Sequence, residues 1–111
     1  MQTSLERIAA EVGHENFQRL LEVFTADIKT RMAKIAEAVE CEDMVSLRHQ
    51  AHALKGSAAK LGFSRLTELL MDLEQRASMQ LVPEDSFFTR LREVANSGIA
   101  EITSVLEARQ G

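Results

Sequence analysis

Apolar residues recur along this chain every three or four positions and nowhere in a sustained alternation, which is the signature of helices rather than strands. Leu5, Ile8 and Ala9 make a short stripe that stops near Gly13. A second stripe runs Phe17, Leu20, Leu21, Phe24, Ile28, Ile35 and Val39, with Asp27, Lys29, Arg31, Lys34 and Glu37 mostly off it. From about residue 15 to 40 it predicts a helix of roughly 37 Å. A third stripe, Leu47, Ala51, Leu54, Ala58 and Leu61, is preceded by Asp43 as a capping residue and followed by Gly62, where a left-handed C-cap belongs. The fourth, Leu66, Leu69, Leu70 and Leu73, begins after Ser64, and the only proline, Pro83, marks a break with Ser78 to Val82 as the connecting loop. The last stripe carries Phe87 or Phe88, Leu91, Val94, Ile102, Val105 and Leu106. Gly98 lies inside it at a cost of about 1 kcal/mol relative to alanine, so that helix should be weakest there.

Four long amphipathic helices with short connections pack most simply as an antiparallel four-helix bundle, preceded by a short N-terminal helix lying across one end. The fold class is all-α, with a single domain over residues 1–111. At this length roughly 65% of the unfolded surface can leave water, so no metal or disulfide is needed as a staple. Cys41 is the only cysteine, which excludes an internal disulfide and suits a reducing compartment; it reads as an inert or partly buried thiol. Met32, Met44, Met71 and Met79 read as core filling or helix ends.

Thirteen basic against seventeen acidic side chains give a net charge of −4, which argues against bulk attraction to nucleic acid or an anionic membrane. No secretory signal is visible in Met1 to Glu6, and no run approaches the roughly 18 apolar residues of a membrane span. A cytoplasmic location follows as the expectation. The charge is unevenly spread. Between Asp43 and Glu68 there is no acidic residue, while Arg48, Lys55, Lys60 and Arg65 give that stretch +4. A locally basic face on an acidic protein suits an acidic partner or a phosphoryl group.

On a helical wheel the apolar stripe of the third helix points about 140° away from His52, so His52 faces outward, with Lys55, Gly56 and Ala59 on the same side. Gly56 carries a propensity penalty of about 1 kcal/mol without filling a core position, but it clears space beside the imidazole. Lys55 could neutralise charge on a group attached to the ring. Neutral imidazole, with an unperturbed pKa of about 6.5, is a competent nucleophile near neutral pH.

The stretch Ala51-His52-Ala53-Leu54-Lys55-Gly56-Ser57-Ala58-Ala59-Lys60-Leu61-Gly62 resembles the signature of histidine-containing phosphotransfer (HPt) domains, the intermediate carriers of phosphorelays. The likeness extends to Gly13, the segment Phe17–Phe24, Asp43, and Leu66 to Glu74. The resemblance implies a four-helix bundle with an exposed phosphoacceptor, His52. It further implies Lys55 near the phosphoryl oxygens and Gly56 leaving room for a partner. The implied partners are the receiver domain of a response regulator and a sensor or hybrid histidine kinase. Mg2+ is expected on the receiver, and no cofactor on this chain. No Gly-rich phosphate loop is present, in keeping with a carrier that has no ATP site.

The contact surface is expected to centre on His52 and to include Arg48, His49, Ala59 and Lys60. His49 and His52 could in principle hold a metal, but no third ligand lies close in sequence, and no metal site is expected. Ser57 reads as a packing residue. A monomer is expected. The alternative function is a helical module that docks on a receiver without ever carrying phosphate.

Overall fold

The computed structural model describes residues 4–110, so the N-terminal residues Met1–Thr3 and the terminal Gly111 of the expected 1–111 domain lie outside the described residues. Among the described residues five helices follow one another: α1 (Ser4–Val12), α2 (His14–Glu40), α3 (Met44–Leu61), α4 (Ser64–Ser78) and α5 (Asp85–Gln110). Helices α2 to α5 close a ring in which each packs on its neighbours, α3 with α4 most extensively, and α1 lies against α2 and α3. The body measures 45 × 21 × 20 Å, the elongated shape of a bundle rather than of a globin-like stack.

Each stripe read from the sequence supplies the core. Leu21, Ile28 and Ile35 of α2, Leu47, Ala51, Leu54 and Ala58 of α3, Leu70 and Leu73 of α4, and Leu91 and Ile102 of α5 are fully buried. Each large one contributes about 1.5–3 kcal/mol through water released from its surface. Among the described residues no polar or charged side chain is buried, so every ionisable group is available at the surface or at a helix seam.

Helix α3 has the sharpest boundaries. Asp43 Oδ1 accepts from the Ser46 amide at 3.1 Å, occupying one of the free donors at the helix start. At the other end Gly62 takes φ 76°, and the amide of Phe63 returns to the carbonyl of Ala58 at 3.0 Å. The left-handed turn favours glycine there, and a Cβ would also overlap the side chain of Ser4 at the start of α1. That contact seats the short first helix against the end of the bundle. At the far end of the chain the Arg109 guanidinium stacks on the Phe17 ring, 4.7 Å from its centroid, and donates to His14 Nδ1, joining the end of α5 to the start of α2.

Three details differ from the sequence reading. Gly98 has a packing role that its helix propensity does not show: the Phe63 ring packs over it, and a Cβ would lie 3.0 Å from ring atom Cε2. The glycine is there to admit an aromatic ring. Cys41 is exposed rather than partly buried, because it caps α2 beyond the last core position. Met71 and Met79 are exposed, 54% and 60%; Met79 caps α4 as a helix end, but Met71 fills no core because it falls on the outward side of α4.

Candidate functional site

Helices α3 and α4 form a hairpin that turns at Gly62 and Phe63, so residues equidistant from the turn meet across the seam. His52 and Glu74 are each eleven residues from Phe63. Glu74 follows Leu73, a core residue, and therefore sits at the edge of the buried stripe, facing α3. Its carboxylate binds both His52 and Lys55: Oε1 lies 2.7 Å from His52 Nδ1 and Oε2 lies 2.6 Å from Lys55 Nζ.

The protonation states follow from this geometry. The Lys55 ammonium, donating to Glu74, holds its carboxyl below the usual carboxylate range; partial desolvation opposes this, and the hydrogen bond from His52 adds to it. An ionised carboxylate can only accept, so His52 Nδ1 carries the proton of their shared bond. In the neutral ring the remaining lone pair is then on Nε2, the nitrogen farther from the backbone. The side chain of His52 is 69% exposed against 20% for Glu74, so the ring stands in solvent while its Nδ1 is anchored.

Lys55 departs from the expectation of a freely exposed cation. Its side chain is only 25% exposed, because on the wheel it leans from His52 toward α4 and finds Glu74 there. The acid-free stretch between Asp43 and Glu68 is likewise not an acid-free surface, since α4 brings a carboxylate into its centre. Glu74 is the site residue that reasoning from the α3 motif missed. The signal was present in the hairpin: a carboxylate at the edge of the α4 core stripe, at the same distance from the turn as His52.

The opposite flank of α3 is braced by α2. Ser57 Oγ donates to Asp27 Oδ2 at 3.1 Å, Arg31 Nε donates to Asp27 Oδ1 at 2.9 Å, and Arg31 also reaches Gln50 Oε1 at 3.0 Å. Ser57 is thus a seam residue, as its azimuth suggested. With α2 and α4 bonded to either side, α3 presents His52 from a rigid element rather than from a loop.

This arrangement, an anchored but exposed imidazole on the second helix of a four-helix ring, coincides with a family match. The model of the Hpt domain family matches residues 19–108. The chain belongs to the Hpt family. It is 30% identical over 88 residues to the phosphorelay protein LuxU of Vibrio harveyi, covering 79% of this chain and 77% of that one. The LuxU of Vibrio cholerae is 30% identical over 76 residues, 68% of this chain and 67% of its own. No solved structure matches it. The matched span takes in His52, Lys55, Gly56 and Glu74, whereas α1 precedes it.

The other positions of this Hpt domain are placed as follows. Arg48, His49, Gly56, Ala59 and Lys60 are all exposed, and among the described residues nothing beyond its chain neighbours and its own helix backbone lies within 4 Å of where a Gly56 Cβ would be. Internal packing therefore gives no reason for glycine at 56. Among the described residues no three His, Cys, Asp or Glu side chains converge as metal ligands. Among the described residues no helix is long and apolar enough to cross a membrane.

Proposed function

We propose that this Hpt domain carries a phosphoryl group on Nε2 of His52 between aspartates of receiver domains in a phosphorelay. The observation that carries the reading is the Glu74 bond to Nδ1 of the exposed His52, which favours the tautomer whose lone pair is on Nε2. In the loading step that lone pair attacks the phosphorus of a receiver's aspartyl phosphate in line. The N–P bond forms as the P–O bond to the aspartate breaks, and the carboxylate leaves with the bonding electrons. The ring then holds the phosphoryl group on Nε2 and its proton on Nδ1, a cationic ring that the ionised Glu74 stabilises. Transfer onward is the same displacement reversed on a second receiver.

Lys55 has a double role in this reading. It keeps Glu74 ionised, and its ammonium shares that carboxylate with the ring, from where it can offset charge on the phosphoryl oxygens. Gly56, one turn from His52, gives the receiver's backbone room to approach. Arg48, His49, Ala59 and Lys60 border the contact. The divalent cation that offsets phosphoryl charge belongs to the receiver's acidic pocket, and ATP is used by a kinase upstream, so the chain acts as a carrier and not as an enzyme. A monomer working in the cytoplasm fits these roles.

The test is the position of the phosphoryl group. Treatment with phosphoramidate, followed by nitrogen-resolved NMR of the histidines, should place phosphate on Nε2 of His52. Phosphate on Nδ1, or on His14 or His49 instead, would contradict the reading.

A further inference from the structure

The seam between α2 and α5 lies across the ring from the α3–α4 seam that holds His52. It is incompletely filled. Met32 and Ala36 of α2 and Phe88 and Ile99 of α5 are only half-buried, and they floor a groove of about 260 Å3. Exposed polar side chains stand over this floor, Lys29 on the α2 wall and Arg92 and Asn96 on the α5 wall. We propose that this groove is a second docking face, which takes an acidic amphipathic helix of a partner protein and leaves His52 free. The proposal goes beyond the carrier reading and does not rest on it.

Charge is the first argument. Two cations and no carboxylate line the groove, on a chain whose net charge is −4. Neither cation is neutralised from its own helix: one turn away Lys29 has Thr25, Ala26, Met32 and Ala33, and Arg92 has Phe88, Thr89, Ala95 and Asn96. Neither forms a hydrogen bond or ion pair with another described residue. Arg31 and Lys55, at the α2–α3 and α3–α4 seams, are each bound to a carboxylate. The cavity beside Gly98 mixes Arg65 and Arg90 with Glu93 and Glu101 and so favours neither sign. The Arg92 guanidinium lies over the Phe88 ring, 5.4 Å from its centroid, which sets a cation beside the apolar floor. An occupant with carboxylates flanking an apolar stripe matches this pattern.

Size and shape favour a helix over a free small molecule. Small-molecule sites enclose most of their ligand in roughly 300–1,000 Å3. This groove is smaller, and its rim is exposed, so it holds side chains of something larger. From Lys29 to Ala36 it follows α2 for about 10 Å, two turns of helix. Apolar side chains one turn apart on a partner helix can therefore enter together. Carboxylates on the two sides of that stripe then meet Lys29 on one wall and Arg92 on the other, and the Asn96 amide offers a further donor.

The experiment titrates nitrogen-labelled protein with a capped synthetic helix that carries leucines along one face and glutamates on both sides of them. The same helix with lysines for the glutamates is the control. Amide shifts should change at Met32, Phe88, Asn96 and Ile99 and not at His52, and added salt should weaken the binding. The double variant Lys29→Glu, Arg92→Glu should bind at least tenfold more weakly while loading His52 from phosphoramidate at the wild-type rate. Bound helix should leave transfer from loaded His52 to a receiver unchanged. Equal binding of the basic helix, shifts centred on another surface, or no shift at the groove would overturn the proposal. So would tighter binding of decanoate than of the acidic helix at these residues, which would make the groove a small-molecule site. A wild-type dimer that the double variant abolishes would make a second copy the occupant and overturn it as well. Failure of wild type to load would overturn the carrier reading and leave the docking face standing.

Discussion

Glu74 Oε1 stands 2.7 Å from His52 Nδ1, so a residue of α4 fixes the tautomer of the histidine that α3 presents. Since the carboxylate also accepts from Lys55 at 2.6 Å, one side chain sets the state of both. An imidazole alone on a helix surface would exchange freely between tautomers and rotamers; this one is held through its Nδ1.

Glu74→Gln tests that relationship. The amide keeps the shape but loses the charge, so it no longer stabilises a cationic phosphorylated ring and can present either a donor or an acceptor to Nδ1. Loss of a charge-assisted bond at a partly exposed seam, about 1.4 kcal/mol, predicts phosphoramidate loading about tenfold slower than wild type. Stability should fall by no more than about 1 kcal/mol, because the pair is near the surface. Kinetic mass spectrometry and urea unfolding read the two effects separately.

The same carboxylate makes stability depend on pH. Its folded pKa is lowered from the usual 4.5, chiefly by Lys55. A carboxyl with a depressed folded pKa is stabilising above its unfolded value, and that contribution disappears as the pH falls through the folded value. Wild type should therefore lose stability below about pH 4.5 more steeply than Glu74→Gln, and the difference between them should shrink toward low pH. Urea midpoints measured from pH 6 to pH 3 check this, and parallel curves would contradict it.

Two glycines within helices should respond in opposite ways. A Cβ on Gly56 meets nothing within 4 Å, whereas one on Gly98 meets the Phe63 ring at 3.0 Å. Gly56→Ala should stabilise the fold by about 0.5–1 kcal/mol through backbone entropy and propensity. Gly98→Leu should destabilise it by about 1–3 kcal/mol, because the ring cannot be accommodated without repacking. Gly56→Gln should leave the fold intact but slow transfer to a receiver severalfold or more; thermal melts with transfer assays separate these cases.

Much of this was legible in the sequence because helices repeat with a fixed period. The stripes from Phe17, Leu47, Leu66 and Leu91 named most of the core, and Asp43 and Gly62 marked the ends of α3 by local chemistry alone. His52 could be placed outward because the wheel of a single helix needs no knowledge of its neighbours. What stayed hidden depends on contacts between helices. Lys55 looked free because its partner lies on α4, and Gly98 looked like a weakness because Phe63 reaches it from the connection before α4. Cys41 and Met71 were misjudged for a related reason, since burial near a helix end or on an outward face depends on how far the neighbouring helix extends. Glu74 was within reach only once the hairpin geometry was used, with the turn at Phe63 setting which residues of α3 and α4 meet.

The most direct measurement is intact mass after phosphoramidate treatment of wild type, His49→Gln and His52→Gln, followed by addition of a receiver domain. A carrier on His52 gains one phosphoryl group in wild type and His49→Gln, gains none in His52→Gln, and gives the group up when the receiver is added. Receiver binding that persists in His52→Gln, with no phosphoryl adduct on wild type, would contradict the carrier and leave a docking module in its place.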